Sequence, residues 1–405
     1  MVKKQKQKSK VILQKGKGRE RRENALVYDY EKDSRYFAQV SESVKDLAVV
    51  ELKELGAENI DPVYMGIKFK ADQKTLYKIV YLSRMVSRIL APLKIFDCPD
   101  SGAIYKNTKT IKWLDFITNK NTFAIVSNVS DSEVNHSQYA GLRVKDAIAD
   151  YFRDMTGRRP NVDKDSPDFL VNLHIRQDIA TISVDVSGGA MHKRGYREKT
   201  VLAPMQEIIA GAIIKMSGFD GTRPLYDPMC GSGTLLCEAL MLSCNIPCGI
   251  FRRNFGFKML PDFNGSIWEK VKAEADAGIK ETKQGMISGS DISIDAVNAA
   301  KTNLMGIHYG NNVRVLEKRF EDIEPLNNHI IVINPPYGIR LNSGENLDKF
   351  YKAIGDFLKQ KCKGSAAYVY FGDPKYIKFL GLKPEWKKNL RLGQLDGRLL
   401  KYELF

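Results

Sequence analysis

Four apolar runs in the second half of the chain constrain its fold most. They are "PLYD" (224–227), "ISGSD" (287–291), "IIVIN" (330–334) and "AAYVYF" (366–371), each followed by turn residues or a helical pattern. Strands that are apolar on both faces need helices on both sides, which predicts a parallel α/β sheet. The first half follows another grammar. "YFAQV" (36–40), "TFAIVSNV" (122–129), "DFLVNLHI" (168–175) and "IATISVDVSG" (179–188) read as strands, the last with clean alternation. "PVYMGIKFKA" (62–71) reads as one strand, with Val63, Met65, Ile67 and Phe69 on one face. Between them lie helical patterns at 43–55, at 72–90 and at 138–155. For 72–90, Asp72 is the expected N-cap and Pro92 follows the expected end. Antiparallel strands with helices on one face would make this half an α+β unit. The change of grammar falls near 188–200.

A length of 405 residues asks for two or three domains. No apolar run is long enough to span a membrane, and the N-terminal stretch has no apolar core of the secretory kind, so no export is expected. Six cysteines without framework spacing suit a reducing cytoplasm, where this chain is expected to reside. Cys244 and Cys248 form a lone C-x3-C with no second pair or nearby His, so no metal site is expected. Net charge is +15, and about half of it sits in residues 1–24, where ten Lys and Arg face two Glu. That stretch is expected to be a disordered basic arm for a polyanion, nucleic acid above all.

The densest motif is "LYDPMCGSGTLLCEAL" (225–240). A strand ends at Asp227, a loop carries Gly231 and Gly233, and a helix starts near Thr234. Such a loop brings backbone N–H groups close to a ligand. It is not a dinucleotide fingerprint, because Leu236 stands where the third glycine belongs and no acid follows about twenty residues on. It is not a phosphate loop either, since no Gly-Lys-Ser/Thr follows. S-adenosylmethionine fits better. Asp227 suits its ammonium, the loop its carboxylate, Asp291 its ribose diol, and Asp322, after "VRVLEKRFEDI", its adenine amine. These acids follow successive strands and would line one crevice at the carboxyl ends of the sheet. "IIVINPPYG" ends in the same crevice. There the Asn334 amide oxygen and the Pro335 carbonyl can hold both hydrogens of an exocyclic base amine. Pro335 and Pro336 would fix their direction, and Tyr337 could stack on a base swung out of its helix.

"DPMCGSGT", "GSDIS", "NPPYG" and "HKRGYR" (192–197) together resemble the THUMP-domain RNA guanine-N2 methyltransferases, among them the bacterial 23S rRNA enzyme. "SQYAGLRVKDAIADYF", "RPNVDKDSPDFLVNLHI" and "VDVSG" are similar to that family's THUMP unit. "YFAQVSESVKDLAVVELKELGA" is similar to its ferredoxin-like part. The resemblance implies a Rossmann-like class I methyltransferase domain preceded by an α+β ferredoxin-like/THUMP RNA-binding module. It divides the chain into a basic tail (1–25), a ferredoxin-like part (26–100), a THUMP unit (101–188) and a methyltransferase domain (189–405). It implies S-adenosyl-L-methionine as cofactor, held by Asp227, Pro228, Cys230, Gly231, Gly233, Asp291 and Asp322. Asn334, Pro335, Pro336 and Tyr337 would be catalytic, with His192, Arg194, Tyr196 and Arg197 at the substrate. The implied partner is 23S ribosomal RNA in a pre-ribosomal form, with no stable protein partner and no membrane.

Some relatives carry a second methyltransferase domain, so the end at Phe405 implies a single activity. "SGGAM" (187–191) departs from the Glu and Ser common in relatives. The stretch 243–285, with "FRRNFGF" and Trp268, is expected to be an insertion whose aromatics serve packing. Two alternatives stay open: N6-adenine methylation of RNA or DNA, and an RNA-binding assembly factor without catalysis.

Overall fold

The computed structural model describes residues 28–200, 204–336, 347–391 and 396–405. The basic tail and Tyr337 therefore lie outside the described residues. The first half builds one eight-stranded sheet from β1 (Arg35–Gln39), β2 (Glu58–Val63), β3 (Gly66–Lys70), β4 (Arg88–Asp97), β5 (Thr122–Ser130), β6 (Asn161–Val162), β7 (Phe169–Arg176) and β8 (Ile179–Asp185). Their spatial order is β2-β3-β1-β4-β8-β7-β5-β6. The sheet is mixed, where the sequence suggested antiparallel pairing. β5 runs parallel to β6 and to β7, because the long helix α5 (Ser137–Thr156) supplies the crossover a parallel pair needs. β4 pairs with β1 through Arg88–Leu90 and with β8 through Leu90–Asp97, so the parts expected from the sequence to be ferredoxin-like and THUMP share one sheet.

Two local readings change. Residues 62–71 are a hairpin, not a single strand: β2 and β3 are joined at Tyr64 and Met65, and Met65 takes φ +57° and is 49% exposed. Gly66 is needed at the turn's exit, since a Cβ there would stand 2.2 Å from the Phe37 ring. The helix read over 72–90 is α3 (Gln73–Leu82), capped as expected by Asp72, which accepts from Thr75 N–H. It stops because Glu51, on α2 (Lys45–Glu54), takes the N–H groups of Arg84 and Met85 and the Ser83 hydroxyl. The rest of that run is β4. Pro92 sits inside it, and the pairing with β8 slips register between Pro92 and Lys94.

The second sheet contains β9 (Leu225–Asp227), β10 (Ile287–Asp291), β11 (Arg314–Glu317), β12 (Ile330–Ile333), β13 (Ala366–Phe371), β14 (Trp386–Asn389) and β15 (Arg398–Glu403). The order is β11-β10-β9-β12-β13-β15-β14. The first five are parallel, and β15 is antiparallel to β13 and β14. Ile330 and Val332 pack on one face, Ile331 and Ile333 on the other, and all four are buried. This is the two-sided burial that continuous apolar runs require. α6 (Glu207–Met216), α7 (Thr234–Ser243), α9 (Ile294–Met305) and α10 (Leu347–Lys361) accompany this sheet. The chain order reverses at β9, between β10 and β12, and that switch point opens the crevice at the strands' carboxyl ends.

The insertion after α7 packs against the other half, as its aromatics suggested. Phe257 stacks on Tyr77 of α3 at 4.4 Å between ring centres, and Trp268 meets Tyr81 edge-on at 5.4 Å. Trp268, on α8 (Gly265–Ala277), is 3% exposed. Arg84 adds a polar tie, donating to the carbonyls of Met241 and Ile246. Among the described residues no helix is long and apolar enough to cross a membrane.

Candidate active site

β9 delivers Asp227 to the bottom of a cavity lined also by Met205, Met229, Cys230, Gly231, Ser232, Thr234 and Asn334. Asp227 is 1% exposed, and its Oδ1 accepts from Met229 N–H at 3.0 Å. Its pKa is pushed up to about 8: burial is the main cause, the Met229 N–H opposes it, and the Asp291 carboxylate adds to it. Pro228 is buried beside it. The loop then turns through Gly231 (φ +55°) and Gly233 (φ +79°), backbone angles that favour glycine, and Gly233 serves as N-cap of α7. Cys230 is buried, and burial pushes its thiol well up, so it stays protonated. Its N–H donates to Ser290 carbonyl at 2.9 Å, pinning the loop to β10.

Asp291 ends β10, and its Oδ2 accepts from Gly231 N–H at 2.9 Å while Oδ1 accepts from Ser293 N–H at 3.0 Å. The acid meant for a ribose thus also shapes the glycine loop. Asp322 is farther out than the sequence implied. β11 ends at Glu317, and Asp322 is exposed at the end of a short turn, Phe320–Asp322. Asn334 follows β12 directly and borders the cavity. Its Oδ1 is buried and has no hydrogen-bond partner among the described residues. Pro335 is buried and Pro336 half-buried beside it.

The "HKRGYR" segment divides into two parts. Arg194 and Tyr196, expected at the substrate, are 1% and 3% exposed and face the protein. Arg194 donates to the carbonyls of Met191 and Arg84 and lies 3.5 Å from Glu238 Oε1, which also accepts from the Tyr196 hydroxyl at 3.1 Å. These contacts join α7 to the eight-stranded half, and both side chains are enclosed too deeply to meet a base or phosphate. A buried cation requires such partners, but Glu238 stands far along the chain and the motif alone does not reveal it. His192 is half-buried, and burial lowers its pKa, favouring the neutral ring. Arg197 reaches the cavity rim: it donates to Met205 carbonyl at 3.0 Å and lies 3.4 Å from the Ser232 hydroxyl. Met205 carries no motif that would have marked it. Among the described residues no cluster of His, Cys, Asp and Glu could hold a metal ion.

Comparison with known proteins follows this architecture. The RMKL-like methyltransferase domain matches residues 194–401, the THUMP domain 100–185 and the RlmL ferredoxin-like domain 35–90. A putative RNA methyltransferase of Synechocystis sp. is 38% identical over 371 residues, covering 91% of this chain and 97% of that protein. The ribosomal RNA large subunit methyltransferase K/L of Syntrophotalea carbinolica is 33% identical over 383 residues, covering 91% of this chain. The chain spans about half of that relative, 53% of its length. The crystal structure of SMU.472, a putative methyltransferase complexed with SAH, superposes with a TM-score of 0.80 at 25% identity, over 92% of this chain and 98% of that one. The three matched domains, in this order along one shared architecture, place the chain in the THUMP-containing, RMKL-like methyltransferase family.

Proposed function

We propose that the chain transfers a methyl group from S-adenosylmethionine to the exocyclic N2 amine of a guanine in 23S ribosomal RNA. The observation that carries this reading is the open acceptor on Asn334. A buried carbonyl oxygen without a donor is costly unless a ligand supplies one, and a base amine supplies two. The Asn334 oxygen and the Pro335 carbonyl would hold the amine hydrogens and turn the nitrogen lone pair toward the cavity. The two prolines restrict the backbone that aims these acceptors. Tyr337 is the proposed stacking face for the base.

When bound, S-adenosylmethionine supplies a methyl group made electrophilic by its sulfonium. The residues present fit that donor. Asp227 is an enclosed carboxyl with a backbone partner on one oxygen, and it suits a cationic ammonium. The N-terminus of α7 and its glycine loop suit a carboxylate. Asp291 is proposed for the ribose hydroxyls and Asp322 for the adenine amine. No general base is needed, since the methylated amine releases its extra proton to water. We assign Arg194 and Tyr196 to joining the two halves, and His192 and Arg197 to the side from which the base arrives.

The names of the relatives support RNA as substrate, and the K/L relatives support the large-subunit rRNA. Asn334→Ala tests the reading. It should abolish methyl transfer while leaving S-adenosylhomocysteine binding intact. Mass spectrometry of rRNA nucleosides is the readout, with the modified position mapped against rRNA from cells lacking the gene. Unchanged N2-methylguanosine in the variant would count against the role of Asn334, and loss of methylation at an adenine would move the target to N6.

A further inference from the structure

The connector between the two halves runs past the glycine loop, and one buried side chain fastens it there. Asn303 lies on α9 and is 1% exposed. Its Oδ1 accepts from the N–H groups of Glu198 at 2.9 Å and Lys199 at 3.0 Å. Its Nδ2 donates to Lys199 carbonyl at 2.8 Å and to Ser232 carbonyl at 3.0 Å. A primary amide has two donor hydrogens and two acceptor lone pairs, so this side chain is saturated. None of the four bonds serves α9 itself. All of them leave the helix, three for the connector and one for the loop.

Ser232 stands between Gly231 and Gly233, so its carbonyl belongs to the turn beside Asp227. The loop and α9 also fit closely, since a Cβ on Gly233 would lie 3.0 Å from Ala300 Cβ. Arg197 reinforces the clasp from the connector side. It lies 3.4 Å from the Ser232 hydroxyl, holds Met205 carbonyl, and pairs with Glu207 at 3.0 Å.

We infer that Asn303 is a positioning residue for the methyl donor: it latches residues 198–199 to the Ser232 carbonyl and so holds the glycine loop in its binding shape. This rests on the donor site proposed above. The latch acts on donor affinity. None of its four bonds reaches Asn334 or the eight-stranded half, so methyl transfer at saturating donor and RNA affinity should not depend on it.

Asn303→Asp separates these effects. It keeps the size and both acceptor bonds, and it turns an oxygen toward the two carbonyls in place of the donor. Titration calorimetry with S-adenosylhomocysteine should show binding about tenfold weaker, the scale of two lost hydrogen bonds. KM for S-adenosylmethionine should rise by a similar factor, with kcat and RNA affinity within about twofold of wild type. Trypsin should cut after Lys199 faster than in the wild type. Equal donor affinity in variant and wild type overturns the latch alone. A folded variant that loses donor binding, kcat and RNA affinity together also overturns it, because the residue then does more than hold the donor loop. A wild-type chain that binds no S-adenosylhomocysteine overturns the donor site and this inference with it. If Asn303→Asp does not fold, the neutral Asn303→Ser, too short to reach Ser232, is judged by the same five readouts.

Discussion

Asp227 gives the most demanding test of the donor site, because burial puts its titration in reach of ordinary buffers. Its pKa of about 8 in the folded chain stands against 3.8 for a free side chain. Without donor, the carboxyl is therefore protonated at neutral pH. An ammonium docked on it needs the carboxylate, so binding below pH 8 must expel one proton. Between about pH 5.5 and 7 the donor's amine stays cationic, and each pH unit should tighten binding about tenfold, or about 1.4 kcal/mol. Calorimetry with S-adenosylhomocysteine, in two buffers of different ionisation enthalpy, measures both the slope and the proton count. Asp227→Asn should bind weakly at every pH, with no slope and no proton released. A flat wild-type affinity over this range, or an equal slope in Asp227→Asn, would refute the reasoning. The same carboxyl tilts the stability of the ligand-free chain. Between pH 3.8 and 8 the folded state holds a proton that the unfolded state has lost. Its stabilising contribution is thus complete below about 3.8, shrinks as pH climbs through that window, and is gone above 8.

Trp268→Ala should cost about 3–5 kcal/mol by emptying the aromatic contact with Tyr77 and Tyr81, read as a lower midpoint in urea unfolding. Gly66→Ala should destabilise the β2–β3 hairpin, because the added Cβ overlaps the Phe37 ring, and hydrogen exchange at β3 amides should speed up. RNA binding should weaken steeply with salt, and removing residues 1–24, with ten basic side chains, should flatten that slope, as measured by filter binding at several ionic strengths.

The parallel sheet was legible because its strands are apolar on both faces. The positions of Asp227 and Asn334 at one crevice were legible because the first ends such a strand and the second directly follows one. All the misreadings but the hairpin share a cause: the deciding partner was distant in sequence. The end of α3 is set by Glu51, on another helix, and β4 continues the apolar pattern without a break, so Pro92 looked like a terminator. The hairpin at Tyr64 and Met65 hid because neither residue is a usual turn former. Arg194 looked like a substrate contact until Glu238 and the Arg84 carbonyl claimed it. Asn303 gave no signal, since its partners are backbone groups of three other residues, Glu198, Lys199 and Ser232.

The aromatic seam between α3 and the insertion, with Arg84 bridging to α7, has a consequence for which nucleotide is reached. Halves fastened in this way cannot swing like beads on a cord. Whatever feature of a folded RNA the eight-stranded half grips, the reacting base must then present itself at a set span and bearing from it. On the proposed function, the molecule would work as a caliper, choosing its target by distance as well as by the identity of the base.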